Sequence, residues 1–345
     1  MAIINKPSEH FETSLYTGTG SSLSISSLDF SPDLVWIKGR SGATEHVLTD
    51  SVRGVTKELN SNDNSSEETV AQGLTAFGSD GFTVGTDGSY NTSSATYASW
   101  NFKAGGTASS NTDGSITSSV SANTTSGFSI VSYTGTGTDP ETIGHGLGVA
   151  PKMIIVKDRS TSGGWRVYNE NIGNDKVLAL DGTIASTTSD AWNSTTPTSS
   201  VFTVGNDTIT NGNGTTHIAY CFAEKQGYSK FGSYTGNGST DGTFVYTGFK
   251  PIYLLAKRTD SADEWIIQDG VRAPFNEVDV RLFANSDGAE QTNGYGDVDF
   301  LANGFKWRTD SATLNASGGS YIYMSFASEP FTTSTTNGSI PATAR

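Results

Sequence analysis

One pattern of turns and apolar runs occurs three times along the chain, and such a repeat decides architecture before any single element is assigned. Each copy opens on a turn-rich pentapeptide: Tyr16-Thr-Gly-Thr-Gly20, Tyr133-Thr-Gly-Thr-Gly137 and Tyr234-Thr-Gly-Asn-Gly238, the tyrosines standing 117 and 101 residues apart. A proline then leads into an apolar run closed by lysine, with Pro32 and Lys38, Pro151 and Lys157, and Pro251 and Lys257 each six residues apart. A middle landmark follows, EHVLTDSVRG from Glu45, GWRVYNENIG from Gly164 and EWIIQDGVRA from Glu264. FTVG from Phe82, FTVG from Phe202 and FKWR from Phe305 then precede closing runs that end at Phe102, Phe222 and Phe326, 20, 20 and 21 residues later.

Each copy reads as about eight short strands separated by Gly, Asn, Asp and Ser, without helical periodicity. The 40 glycines and the long Ser/Thr/Asn stretches supply the turns. This predicts an all-β protein of three tandem antiparallel β-sandwich, jelly-roll-like repeats at residues 11–106, 126–227 and 228–331. Around them lie an N-terminal leader (1–10), a Ser/Thr/Gly-rich linker (107–125) and a C-terminal tail (332–345). A propeller is disfavoured because three copies are fewer than its minimum of blades. One helix of one or two turns is expected over residues 65–72, where Ser65 and Glu68 have capping-box spacing; an acidic surface loop is the alternative.

Strand side chains alternate between faces. In the closing runs Ala98, Trp100 and Phe102 share one face, matched by Ile218, Tyr220 and Phe222 and by Ile322, Met324 and Phe326, and this face is expected to be core. Asn101, Cys221 and Ser325 occupy one position on the opposite, less apolar face. As the single cysteine, Cys221 can form no internal disulfide, and since no motif places a base beside it, it reads as a small filler and not a nucleophile. The proline-led runs at 34–37, 153–156 and 253–256 are apolar on both faces, so a neighbouring copy, loop or subunit is expected to cover the second face. Their closing lysines read as structural, snorkelling or pairing with a carboxylate. Asp50 and Arg53 recur as Asp269 and Arg272 at the spacing of a local bridge, while the second copy has Asn169 and Ile172.

A formal net charge of −14 repels phosphate backbones and anionic headgroups, which argues against nucleic acid and membranes as partners. No apolar run reaches bilayer-spanning length and the first residues lack a secretory core, so a soluble protein made without a signal is expected. His10, His46, His145 and His217 are scattered, and the acidic stretch from Asn60 to Glu68 lacks EF-hand spacing, so no metal and no cofactor is expected. The glycine-rich pentapeptides resemble neither a phosphate loop nor a dinucleotide turn. Two of the 35 acidic residues could still meet across a glycosidic bond, which keeps glycan cleavage as the enzymatic alternative. Trp165, Tyr168 and Trp265 in the middle landmark are the candidate glycan or partner contacts, burial between repeats being the competing role.

The strings FSPDLVWIK, DSVRG and SDGFTVG in the first copy, FSIVSYTGTG, IGHGLGVAPKMIIVK and PTSSVFTVG in the second, and FGSYTGNGSTDGTFVYTGFKP and ASGGSYIYMSFASEPF in the third carry a family resemblance. From about His10 to Phe331 the chain resembles the repeat-containing, tail fibre-like virion proteins of marine tailed bacteriophages. The resemblance implies a non-enzymatic virion structural protein, a tail fibre or tail-tip component contacting the host surface. A capsid decoration, head fibre or tail connector is the alternative, and a glycan-degrading tailspike is the enzymatic one. It further implies other virion proteins and host-surface glycans as partners, assembly as a homotrimer, location in the virion after synthesis in the host cytoplasm, and no catalytic residue to carry over.

Overall fold

A computed structural model describes residues 4–330, except residue 293, together with Thr332–Thr335 and Gly338–Pro341. The chain is all-β and consists of several antiparallel sheets. In the three largest, one order of four strands recurs: opening, closing, proline-led and partner. The opening strands are Phe11–Thr17, Phe128–Thr134 and Ser229–Thr235, each ending in the first residues of a pentapeptide. The closing strands are Thr96–Phe102, Thr216–Phe222 and Ser320–Pro330. The proline-led strands are Leu34–Gly39, Met153–Asp158 and Phe249–Arg258, and their hairpin partners are His46–Asp50, Trp165–Asn169 and Trp265–Asp269. Register recurs with order: Phe102 pairs with Phe11 and Leu34, Phe222 with Phe128 and Met153, and Phe326 with Ser229 and Tyr253.

A smaller sheet accompanies each large one. It comprises Leu23–Ile25, Phe82–Val84 and Leu74–Phe77 in the first copy, Glu141–Gly144 and Val201–Val204 in the second, and Phe244–Tyr246, Gly304–Trp307 and Val298–Leu301 in the third. Three separate apolar clusters join small sheets to large ones; Ile25, Phe82 and Val84, for instance, pack with Val35, Ile37 and Tyr97. A fourth cluster runs through all three copies and takes the other face of every proline-led strand: Leu34 and Trp36, Met153 and Ile155, Tyr253 and Leu255. Both faces of those strands are therefore covered by the chain itself, and they offer no argument for a further subunit.

At the centre of the shared core the rings of Phe102, Phe222 and Phe326 meet, with centroids 5.9, 5.6 and 6.4 Å apart around the triangle. The closing-strand face expected to be core is thus the core between copies. The face with Asn101, Cys221 and Ser325 is no less buried, for it lies on each copy's own cluster and all three residues are inaccessible to solvent. Tertiary packing on both sides of the sheet, which alternation within a strand does not register, causes the difference.

Two other expectations change. Residues 65–72 form no helix: Glu68–Thr69 is a short strand paired with Lys57 and Glu58, Ser65 is held by Asp63, and Glu67 is drawn to Arg159 of the second copy. Those contacts outweigh a capping box that has little apolar surface behind it. The expected linker 107–125 contains Ser109–Asn111 and Ser118–Asn123, which extend the second large sheet. The tail contains the paired strands Thr332–Thr335 and Gly338–Pro341.

Candidate functional site

The candidate aromatics occupy the junctions between copies or the core. Trp165 is buried and donates from Nε1 to the Asn60 carbonyl of the first copy at 2.8 Å. Trp265 is buried and donates to the Ala179 carbonyl of the second copy at 2.7 Å. At the corresponding position the first copy has His46, which lies against the Phe283 backbone of the third. Tyr168 is buried edge-on to Trp192 in the second copy's own cluster. All three predicted contact residues are therefore removed from solvent, Trp165 and Trp265 because the preceding copy overlays them and Tyr168 because it faces its own copy's core.

Main-chain bonds repeat the same cycle. Glu67 N–H donates to Arg159 O, Ser186 N–H to Thr259 O, and Glu290 N–H to Arg40 O, so first joins second, second joins third and third joins first. Bidentate pairs of Arg159 with Glu67 and Arg40 with Glu290 reinforce two of these junctions. Lys38, Lys157 and Lys257 are buried beside them, with Nζ donating to the carbonyls of Gly39, Asp158 and Arg258. Lys157 and Lys257 also reach the Asn64 and Thr183 carbonyls of the preceding copy. Burial pushes each ammonium down to about 8, with nearby carboxylates opposing the shift. The structural role expected of these lysines is realised through carbonyls, with no direct ion pair among the described residues. Burial likewise pushes the Cys221 thiol up, away from the thiolate needed for nucleophilic chemistry.

A surface groove of about 570 Å³ lies where the second and third copies meet. Its rim has two ion pairs, Lys152 with Glu170 and Lys230 with Glu224, the latter at 2.8 Å. Asn171 is oriented by bonds to Asn169, Phe231 O and Ser233. Phe244 and Tyr246 stand on one side, 44% and 62% exposed, while Val245 between them is buried. Alternation along the strand thus places both rings on its solvent face.

Register shows how unusual those rings are. Val245 pairs with Phe305 as Ile25 pairs with Phe82 and Ile143 with Phe202, so the counterparts of Phe244 are Ser24 and Thr142, and those of Tyr246 are Ser26 and Gly144. Beneath them, Gly232 pairs with Tyr323 where the other copies pair Ser14 with Ser99 and Val131 with Ala219. A Cβ on Gly232 would come within 2.6 Å of the Tyr323 hydroxyl oxygen, so glycine is what admits the phenol to the groove. No reasoning from single strands singles out Phe244 or Tyr246; aligning the copies by register does.

Fold and groove together define an all-β protein whose three sheet systems close on one another, with two exposed aromatics, Phe244 and Tyr246, side by side at the junction of the second and third copies. The chain belongs to the family described as Domain of unknown function (DUF7483), which it matches over residues 6–330. No curated protein and no solved structure matches it. Among the described residues no group of three or more His, Cys, Asp or Glu is placed to hold a metal ion, and no helix is long and apolar enough to cross a membrane.

Proposed function

We propose that this is a non-enzymatic structural protein of a tailed-phage virion, part of a tail fibre or tail tip that touches the host surface, built from three β-sandwich modules closed into a ring. The resemblance of its repeat strings supports the virion assignment, and the recurrent strand order supports the modules. One observation carries host contact: a groove whose exposed phenylalanine and tyrosine replace the Ser, Thr and Gly of the other two copies. Two exposed aromatics side by side, at positions where the other copies hold small residues, are costly to keep in water and suit a partner surface.

Immunogold labelling of intact particles tests the assignment. Label at the distal tail, together with host-cell adhesion by the purified protein, is expected. Label on the head would transfer the protein to capsid decoration, and label at the head–tail joint without adhesion would make it a connector. Release of reducing sugar from host envelope glycans would identify a degrading tailspike instead.

A further inference from the structure

We propose that the groove between the second and third copies binds an uncharged oligosaccharide, with sugar rings stacked on Phe244 and Tyr246; this rests on the host-contact reading above and names the ligand class. The two aromatic positions are two residues apart on one strand face, roughly 7 Å along the strand. That separation lets neighbouring rings of one glycan each meet an aromatic face through their C–H surfaces. The rest of the lining suits hydroxyl groups: the Asn171 amide, the Ser233 and Tyr323 hydroxyls, and the charged heads of Lys152 and Glu170. A volume of about 570 Å³ falls within the range of small-ligand sites.

Charge selects among glycans. Each rim lysine is matched by a glutamate, so the groove offers no net positive charge to a uronate or sialic acid, and the chain as a whole carries −14. A polyanionic glycan would approach against that field. A protein partner fits less well, since the centres of protein interfaces are depleted of charged residues whereas here two ion pairs flank the aromatics.

The test returns the aromatic positions to the residues of the other copies, Phe244→Thr and Tyr246→Ser, singly and together in the full chain. Both side chains are exposed, so the melting temperature should not move by more than a degree or two, which separates binding from folding. Wild-type protein is probed on arrayed neutral hexose and N-acetylhexosamine oligosaccharides beside uronate and sialylated ones, with affinities then measured by calorimetry. Binding to neutral members is expected, weakened at least tenfold by either change and abolished by both. Binding confined to anionic glycans, no glycan binding, or affinity unchanged in the double variant would overturn the proposal. Host-cell adhesion of the same variants separates the two levels. Adhesion lost without any neutral-glycan binding sinks the ligand class alone; neutral-glycan binding lost with adhesion intact upholds the site and sinks host contact through it.

Discussion

Asp50 and Arg53 show how one substitution propagates across a junction. Their side chains are inaccessible to solvent and meet at 2.5 Å, as do those of Asp269 and Arg272. Each carboxylate also accepts a hydrogen bond from a donor proton of the neighbouring copy: Tyr220 Oη donates to Asp50 at 2.8 Å, and Trp100 Nε1 to Asp269 at 3.1 Å. The counterpart of Tyr220 and Trp100 in the third copy is Met324, which has no such proton, and the second copy accordingly has Asn169 and Ile172 in place of the ion pair. Tyr220→Phe should cost about 1–3 kcal/mol, since a buried charged acceptor loses a donor. Arg53→Met, which strands a carboxylate, should cost about 3–5 kcal/mol. Urea unfolding of both variants against wild type measures the difference. Glu58 offers a pH readout. Burial pushes its carboxyl up to about 7 against an opposing hydrogen bond with Tyr90, and among the described residues Oε2 has no partner. A folded-state value above the ordinary 4.5 favours protonation on folding, so this stability is complete below about 4.5 and is lost as pH rises through about 7. Glu58→Gln, neutral throughout, should therefore stabilise the protein by about 1–3 kcal/mol at pH 8 and by little at pH 4.5. An equal effect at both pH values would refute a buried, protonated Glu58.

At the scale of elements, the pentapeptides are explained by four-residue helices that the sequence period was too short to reveal. These helices, Gly88–Asn91, Thr208–Asn211 and Ala312–Asn315, each precede a closing strand. The opening tyrosine stacks on its cross-strand partner and donates its hydroxyl to the helix: Tyr16 on Tyr97 and to Tyr90 O, Tyr133 on His217 and to Thr210 O, Tyr234 on Tyr321 and to Leu314 O. The middle glycine is required by proximity, since a Cβ on Gly18, Gly135 or Gly236 would lie 2.2 to 2.4 Å from a carbonyl oxygen just beyond the helix. The helix-ending asparagine then binds the loop. Asn211 Oδ1 accepts from Thr136 N–H, and its Nδ2 donates to Thr138 O and Gly205 O, with Asn91 and Asn315 repeating the arrangement. Asn211→Ala should lower stability by about 2–4 kcal/mol through these unmade bonds. Amide exchange should quicken at Thr136 and Thr138 before the rest of the second copy; uniform protection would show the loop to be held by other means.

Over the whole molecule, closure through a shared core makes the copies interdependent. Removing residues 228–330 would bare Phe102, Phe222 and the outer faces of two sheets, so that fragment should aggregate or bind hydrophobic dye instead of forming two stable modules. Intact protein should unfold in one calorimetric transition, and Phe222→Ala at the ring triangle should lower the single midpoint at a cost of about 3–5 kcal/mol. Two or three separable transitions would show that each copy is held mainly by its own small-sheet core.

Period-two alternation, turn residues and four markers in fixed order were enough to assign all-β structure and the threefold pattern, because they depend on local backbone preference and on spacing along the chain. The two-sided greasiness of the proline-led strands likewise announced that something must cover them. What covers them was decided in three dimensions: the face expected to form each core became a common one, the supposed linker joined a sheet, and Trp165 and Trp265 were sealed against preceding copies. Phe244 and Tyr246 had no periodic signature, since one exposed ring looks like any other until register shows the small residues it replaced. A strand's sequence records which side chains avoid water, whereas the surface that excludes the water is set by elements a hundred residues away.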